Sequence, residues 1–162
     1  MNIIFNISEF NIENMFFLET KKNILMDGNF TKIIYSNEII SLNGIYLLFP
    51  IYIYNYNKLI NKIYNYFHIN HNDNLTVIKE IFAIENRILI YYRKYFNCNK
   101  QICYALSDQL RSGNIKIYCE KDSSQSVNQK NCVNNYVIKI SGIWEDKHSI
   151  GITYKFIEYS NE

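Results

Sequence analysis

The sequence predicts a mixed α+β domain, and three observations carry that prediction. Residues 137–159, VIKISGIWEDKHSIGITYKFIEY, hold two runs of alternating apolar and polar residues around a polar turn, the pattern of an antiparallel hairpin. Two dipeptides suited to type I′ turns, Asp27-Gly28 and Asn43-Gly44, interrupt Ile- and Tyr-rich runs near the start. Between these regions, Leu75, Ile78, Ile81, Phe82, Ile88, Leu89, Tyr92 and Phe96 recur at a spacing close to 3.6, which predicts an amphipathic helix.

In chain order, residues 1–56 read as a β-meander. Runs 16–26 and 29–35 flank Asp27-Gly28, and runs 39–42 and 45–54 flank Asn43-Gly44. Ile and Tyr suit a half-buried pleated surface. Pro50, the only proline, predicts an edge or a bend in the last run. Residues 57–113 form a helical insertion: a short helix over 58–67, a long one over 74–96 with Asp73 or Asn74 as N-cap, and a third over 100–112 that ends at Gly113. Lys79, Asn86, Arg87, Arg93 and Lys94 fall on the polar side of the long helix, and Glu85 interrupts its apolar stripe as a paired or snorkelling carboxylate. The chain then returns to β with a strand over 114–120, a polar Ser- and Asn-rich loop over 122–135, and a terminal hairpin of runs 136–144 and 150–159. Meander, helices, strand, loop and hairpin make one domain over 1–162. That order fits an OB-like barrel, with the helices between its third and fourth strands and the loop between its fourth and fifth, as well as other α+β arrangements.

Composition narrows the function classes. Apolar residues make up 48% and charged residues 20%, which is globular. The heavy use of Asn, Ile and Tyr is that of an AT-rich coding sequence. No signal peptide or membrane span is read, so the chain is expected not to be secreted. Cys98, Cys103, Cys119 and Cys132 form no CxxC pair and read as free thiols. Charge is uneven: ten Lys or Arg against five acids over 57–121, in a chain of net charge +2. A basic middle of this kind attracts polyanions, although a solvated helix face gives the same count.

No phosphate-binding glycine loop, dinucleotide fingerprint or nucleophile elbow occurs. His68, His71 and Asp73 form an HxxHxD cluster of zinc-ligand types, but in an inter-helix segment with no cysteine near it in sequence, and no metal or other cofactor is expected. Cys98 or Cys103 would need an orienting His and an acid to act as a nucleophile. The chain is therefore expected not to be an enzyme.

A nucleic-acid surface is the third chemistry. Residues two apart share a strand face. Lys139 then lies opposite Ile138, Ile140 and Trp144, and Lys155 opposite Tyr154 and Phe156, while Lys116 shares a face with Tyr118 and Lys32 is the polar position of the first hairpin. A sheet with spaced cations and rings can track a single strand, lysines meeting phosphates and rings stacking on bases. Polar outward positions are equally what any barrel presents. Tyr52, Tyr54 and Tyr56 alternate as a stacking ladder or as a core or interface face.

The ending GIWEDKHSIGITYKF and the early TKIIYSNEIISLNGIYLLFP, with NRILIYYRKYF and LRSGNIKIY between them, resemble an uncharacterised family of nucleocytoplasmic large DNA viruses over most of the chain. The order Trp144, Gly151, Tyr154, Lys155 is also similar to the ending of viral single-stranded-DNA-binding OB-fold proteins, whose long acidic tail is not matched by Ser160-Asn161-Glu162. The resemblance implies a protein of the host cytoplasm, in virus factories, or of the virion. The expected function is single-stranded nucleic-acid binding. Lys32, Lys116, Lys139 and Lys155 would track phosphates, Arg87, Arg93 and Lys94 would enlarge the field, and Tyr118, Trp144 and Tyr154 would stack. The alternative is a structural or protein-interaction component that meets a partner, or itself, through the Tyr52, Tyr54 and Tyr56 edge. No membrane partner is expected.

Overall fold

A computed structural model describes residues 3–118 and 130–159. Strands β1 (Phe5–Asn6), β2 (Met15–Lys22), β3 (Asn29–Ser36), β4 (Ser41–Leu42), β5 (Ile45–Ile53), β6 (Asn55–Leu59) and β7 (Lys62–Tyr66) precede helix α1 (Asn72–Tyr95). Strand β8 (Gln101–Cys103), helix α2 (Ala105–Arg111), β9 (Asn114–Tyr118), β10 (Cys132–Glu145) and β11 (Ser149–Tyr159) follow. All eleven strands join one sheet along the path β1-β5-β10-β11-β9-β7-β6, with β2, β3, β4 and β8 off the path. The fold is α+β. The ladder is open, ending at β1 on one side and β6 on the other. Even so, β5 and β6 are parted by Tyr54 alone, whose N–H donates to the Tyr66 carbonyl at 3.0 Å.

The C-terminal hairpin is the longest ladder. Register runs from Asn135↔Tyr159 to Glu145↔Ile150, with a bulge at Ser141. That bulge is where β10 changes partner on its other side: residues 132–140 pair with β5, and 142–145 pair with β3. An extra residue sharpens local twist, so one long strand can serve two neighbours. The core lies on one side of this sheet. Ile45, Leu47, Phe49, Ile51 and Ile53 of β5 alternate into it, with Tyr136, Ile138 and Ile140 of β10, Ile81, Ile88 and Leu89 of α1, and Leu106 and Leu110 of α2. Each such aliphatic side chain contributes about 1.5–3 kcal/mol on burial.

The first hairpin forms, but not through a type I′ turn. Its strands stop at Lys22 and restart at Asn29, and the connection is closed by Asn23 N–H donating to the Gly28 carbonyl at 2.8 Å. Glycine is needed at 28 for close approach, since a Cβ there would sit 2.1 Å from the Glu145 carbonyl oxygen. The second expected hairpin does not form. Strand β4 turns back on β3 through Asn37, whose side-chain oxygen accepts from Ile39 and Ile40, and β5 pairs instead with β1 and β10. Pro50 lies just past the last β1 pair, Asn6↔Leu48, where that side of β5 carries no ladder.

The short helix expected over 58–67 is a β-hairpin, β6 and β7. Its residues alternate: Ile63 and Asn65 are buried while Lys62, Tyr64 and Tyr66 are half-exposed, a period of two that a helix could not satisfy. Helix α1 is capped by His71, whose Nδ1 accepts from Asp73 N–H at 3.3 Å, not by Asp73 or Asn74. The third helix is half its expected length, because residues 101–103 pair with β11 as β8. Gly113 follows the Ser112 cap at φ +74, the left-handed end expected of it. Of the loop expected over 122–135, residues 122–129 lie outside the described residues, and residues 132–135 are strand, paired with β5. Residues 119–120 of the expected strand also lie outside them; β9 is described to Tyr118.

Two buried polar residues tie α1 to its neighbours, one to the sheet and one to α2. Asn74 is fully buried, and its amide brackets the free edge of β5. Its Oδ1 accepts from Tyr52 N–H at 2.7 Å, and its Nδ2 donates to the Tyr52 carbonyl at 3.1 Å and to the His68 carbonyl at 3.0 Å. Asn74→Ala should cost about 1–2 kcal/mol, read as a lower denaturation midpoint at unchanged slope, because a buried N–H and C=O lose their partner. Glu85 is also fully buried and accepts from the backbone N–H of Leu106 at 3.1 Å, from that of Ser107 at 2.8 Å, and from the Ser107 hydroxyl. It caps α2 from another helix.

Candidate nucleic-acid interface

The sheet face turned away from the core carries a row of cations and rings, set by register. Lys139 of β10 stands opposite Lys155 of β11 on one side and Tyr46 of β5 on the other, with its Nζ 5.2 Å from the Tyr46 ring centre. The parallel contact Phe156↔Ile117 brings β9 alongside β11, so Lys116 and Tyr118, flanking Ile117, continue the row. Across the next ladder Lys116 faces Tyr64 of β7 and Tyr118 faces Lys62. Lys116 and Lys62 place their ammonium groups 4.7 Å and 5.7 Å from the Tyr118 ring centre. Five strands, β5, β10, β11, β9 and β7, thus each add a lysine, a tyrosine or both.

No ion pair among the described residues involves Lys62, Lys116, Lys139 or Lys155. Like charges directly opposite each other, as Lys139 and Lys155 are, cost about 0.2–1 kcal/mol in a sheet. The hydrogen bond with Lys116 holds the Tyr118 hydroxyl below the usual phenol range and raises the Lys116 ammonium in turn. Tyr118 is 64% exposed, so its ring is open to a ligand. Two shallow grooves of about 390 and 370 Å³ flank Lys155, one toward Lys116, Tyr118, Trp144 and Tyr154, the other toward Tyr46, Lys139 and Glu158.

Past the Ser141 bulge the same face continues. Lys32 pairs with Gly142, and Gly142 with Thr153, so Lys32 extends the cationic surface onto β3. Trp144 lies between Gly151 and Phe30. Its indole lies over Gly151, where a Cβ would come within 2.5 Å of Cζ2, and Phe30 lies likewise over Gly142, where a Cβ would come within 2.5 Å of the Phe30 Cζ. The glycines leave room for rings that lie on the sheet. Gly151→Ala should displace the indole, shift the emission of this only tryptophan, and cost about 1–3 kcal/mol by overpacking. An unshifted spectrum would show that the ring does not rest there.

Other expected site residues lie elsewhere. Tyr154 alternates to the core side, away from the Lys155 side chain, although it also lines the groove beside Lys116, Tyr118 and Trp144. Its hydroxyl lies 3.2 Å from the Ala105 carbonyl and 2.7 Å from Gln109 Oε1 beneath α2, and burial pushes its pKa up to about 12, so its hydroxyl end is already engaged by the protein. Arg87, Arg93 and Lys94 lie on α1, which packs on the core side, and do not join the sheet lysines. Arg87 sits over the Phe10 ring at 5.5 Å, and Arg93 Nε donates to the Cys98 carbonyl at 3.4 Å. Tyr52 is stacked on His71 and Tyr54 on His68, at 4.3 and 4.2 Å, and Lys130 approaches the Tyr56 ring at 5.7 Å.

His71 Nδ1 lies 3.6 Å from Asp73 Oδ2, but no three His, Cys, Asp or Glu among the described residues are grouped so as to hold a metal. Burial pushes the Cys103 thiol up, away from a reactive thiolate. Lys62, Tyr64, Tyr46 and Phe30 were not among the residues the sequence singled out. The alternation of Lys62–Tyr66 was the signal for the first two, hidden by the helical assignment of 58–67. No helix among the described residues is long and apolar enough to cross a membrane. No family model, curated protein or solved structure matches the chain.

Proposed function

We propose that this chain is a non-enzymatic single-stranded nucleic-acid-binding protein on an OB-like barrel. The observation that carries the proposal is the row of lysines, without ion pairs among the described residues, interleaved with tyrosines on one sheet face. A polyanion supplies what the row lacks: phosphates for Lys116, Lys139 and Lys155, and bases for the open ring of Tyr118, each stack contributing about 1–3 kcal/mol.

What supports the OB likeness is the strand circuit. Taking β5 and β6 as one bent strand, the circuit runs β5/β6, β7, β9, β11, β10 and back to β5, and β10 returns to lie beside the first strand in the Greek-key manner. OB folds are five-stranded, partly open Greek-key barrels that bind oligonucleotides on the face of strands two and three. In this circuit those are β7 and β9, which carry Lys62, Tyr64, Lys116 and Tyr118. The helices then fall between the second and third strands, not between the third and fourth as the sequence suggested. The viral setting, in the factory or the virion, rests on the sequence resemblance alone.

Anisotropy of a labelled single-stranded oligonucleotide, titrated with the protein at low and at higher salt, tests the proposal. The expected result is binding that weakens with salt and that an equal-length duplex does not match. No binding at low salt overturns it and favours the alternative, a protein interface at the Tyr52, Tyr54 and Tyr56 edge. That edge has less in its favour, since histidines already cover one face of Tyr52 and of Tyr54.

A further inference from the structure

The connection between β2 and β3 presents apolar side chains to water. Ile24 is 98% and Leu25 96% exposed, with Met26 beside them. This is a built turn: Asn23 Oδ1 accepts from Leu25 N–H at 3.1 Å, and Asn23 N–H closes on the Gly28 carbonyl. Neither Ile24 nor Leu25 contributes to the core, so their apolar surface finds no cover within the described chain.

The position of the turn suggests its use. A Gly28 Cβ would meet Glu145 and Asp146, which places the base of this connection beside the β10–β11 turn. Outward rungs lead from the lysine row to it: Thr153, Gly142 and Lys32 along one, Gly151, Trp144, Phe30 and Lys21 along the next. We infer that Ile24 and Leu25 are a wedge that inserts between neighbouring bases of a strand bound along this face, next to Trp144. Aliphatic side chains part base steps in this way when the unstacking is offset by added contact. The nearby charges balance, Lys21, Lys22 and Lys147 against Glu19, Asp27 and Asp146. The wedge therefore acts through apolar contact. This inference rests on the proposed nucleic-acid function.

The test uses single-stranded oligonucleotides carrying 2-aminopurine at successive positions, with the wild-type chain and with Ile24→Ser/Leu25→Ser. The expected result is a fluorescence rise at one position on binding the wild type. The variant should lose that rise and bind roughly tenfold more weakly with an unchanged salt slope. Both side chains are exposed, so its melting curve should match the wild type. If wild type and variant give the same fluorescence and affinity, the wedge is overturned and the binding function stands. If the wild type binds no oligonucleotide at low salt, both fall together. Sedimentation with anionic vesicles that depends on Ile24 and Leu25, without any oligonucleotide effect, overturns the wedge in favour of a membrane contact.

Discussion

Glu85→Ala should destabilise the protein by about 3–4 kcal/mol, since it strands several buried donors at once. The carboxylate is the N-terminal cap of α2 although it belongs to α1: it takes two backbone N–H groups and a hydroxyl from residues 106–107. Without it those N–H groups face an apolar interior, and the dipole of α2 loses its negative partner. The loss should appear as a lower urea midpoint, while single-stranded binding by the folded fraction stays intact. A cost below about 1 kcal/mol would mean that α2 is satisfied in another way.

The same residue gives the wild type a pH signature. Burial raises the Glu85 pKa, and this outweighs the three hydrogen bonds that lower it. The folded protein therefore holds this proton more tightly than the unfolded chain does. The corresponding stability is fully present below the ordinary carboxylate pKa, and it is lost as pH rises through the folded value. Glu85→Gln cannot titrate, so its stability should lack this component. It keeps one acceptor and should cost less than Glu85→Ala. Parallel pH–stability curves for wild type and Glu85→Gln would refute the assignment.

Glu85 also shows how far the sequence could be read. Its period-breaking place marked it as a paired or snorkelling carboxylate; the structure makes it paired, and its partner, the start of α2, came from residues 21 and 22 positions away. Local pattern was sufficient where one face decides the structure. Alternation gave β11 and the turn end of β10 to within a residue, though β10 begins four residues before its expected start, and the 3.6 period gave α1. It failed where tertiary pairing overrode a local signal. Asn43-Gly44 looked like a hairpin turn, yet β5 left it for β10, a strand some ninety residues later in the chain. Residues 58–67 lack glycine at their turn, so Leu59-Ile60-Asn61-Lys62 did not announce a hairpin. For the site, alternation was enough to place Lys116, Lys139 and Lys155 outward. That they stand in one row depends on which strands neighbour each other, and the parallel β9–β11 contact is not a local property of either strand. Tyr154 was named a stacking partner although its alternation sets it opposite Lys155, and the structure follows the alternation.

Lys155→Glu should weaken single-stranded binding while making the protein slightly more stable. Opposite signs for the two effects are the sharpest test of the lysine row. In the folded chain Lys155 faces Lys139 across the ladder, and neither has an ion-pair partner among the described residues. Reversing one charge turns a repulsive cross-strand pair into an attractive one, a gain of about 0.2–1 kcal/mol. If the row were only a solvated surface, stability would rise and nothing would be lost. If it binds phosphates, the reversal removes one contact and adds a repulsion. Each phosphate contact contributes about 0.7 to the slope of log affinity against log salt for a single strand. The double change Lys139→Glu/Lys155→Glu should therefore flatten the slope by about 1.4 and lower low-salt affinity roughly a hundredfold. It also restores a like-charge pair, so the stability gain of the single change should disappear. Urea titration and anisotropy on the two variants read all four quantities. Affinity unchanged in both would remove the site from this face, whatever the stability did. Affinity lost together with stability would instead point to damage of the β10–β11 ladder.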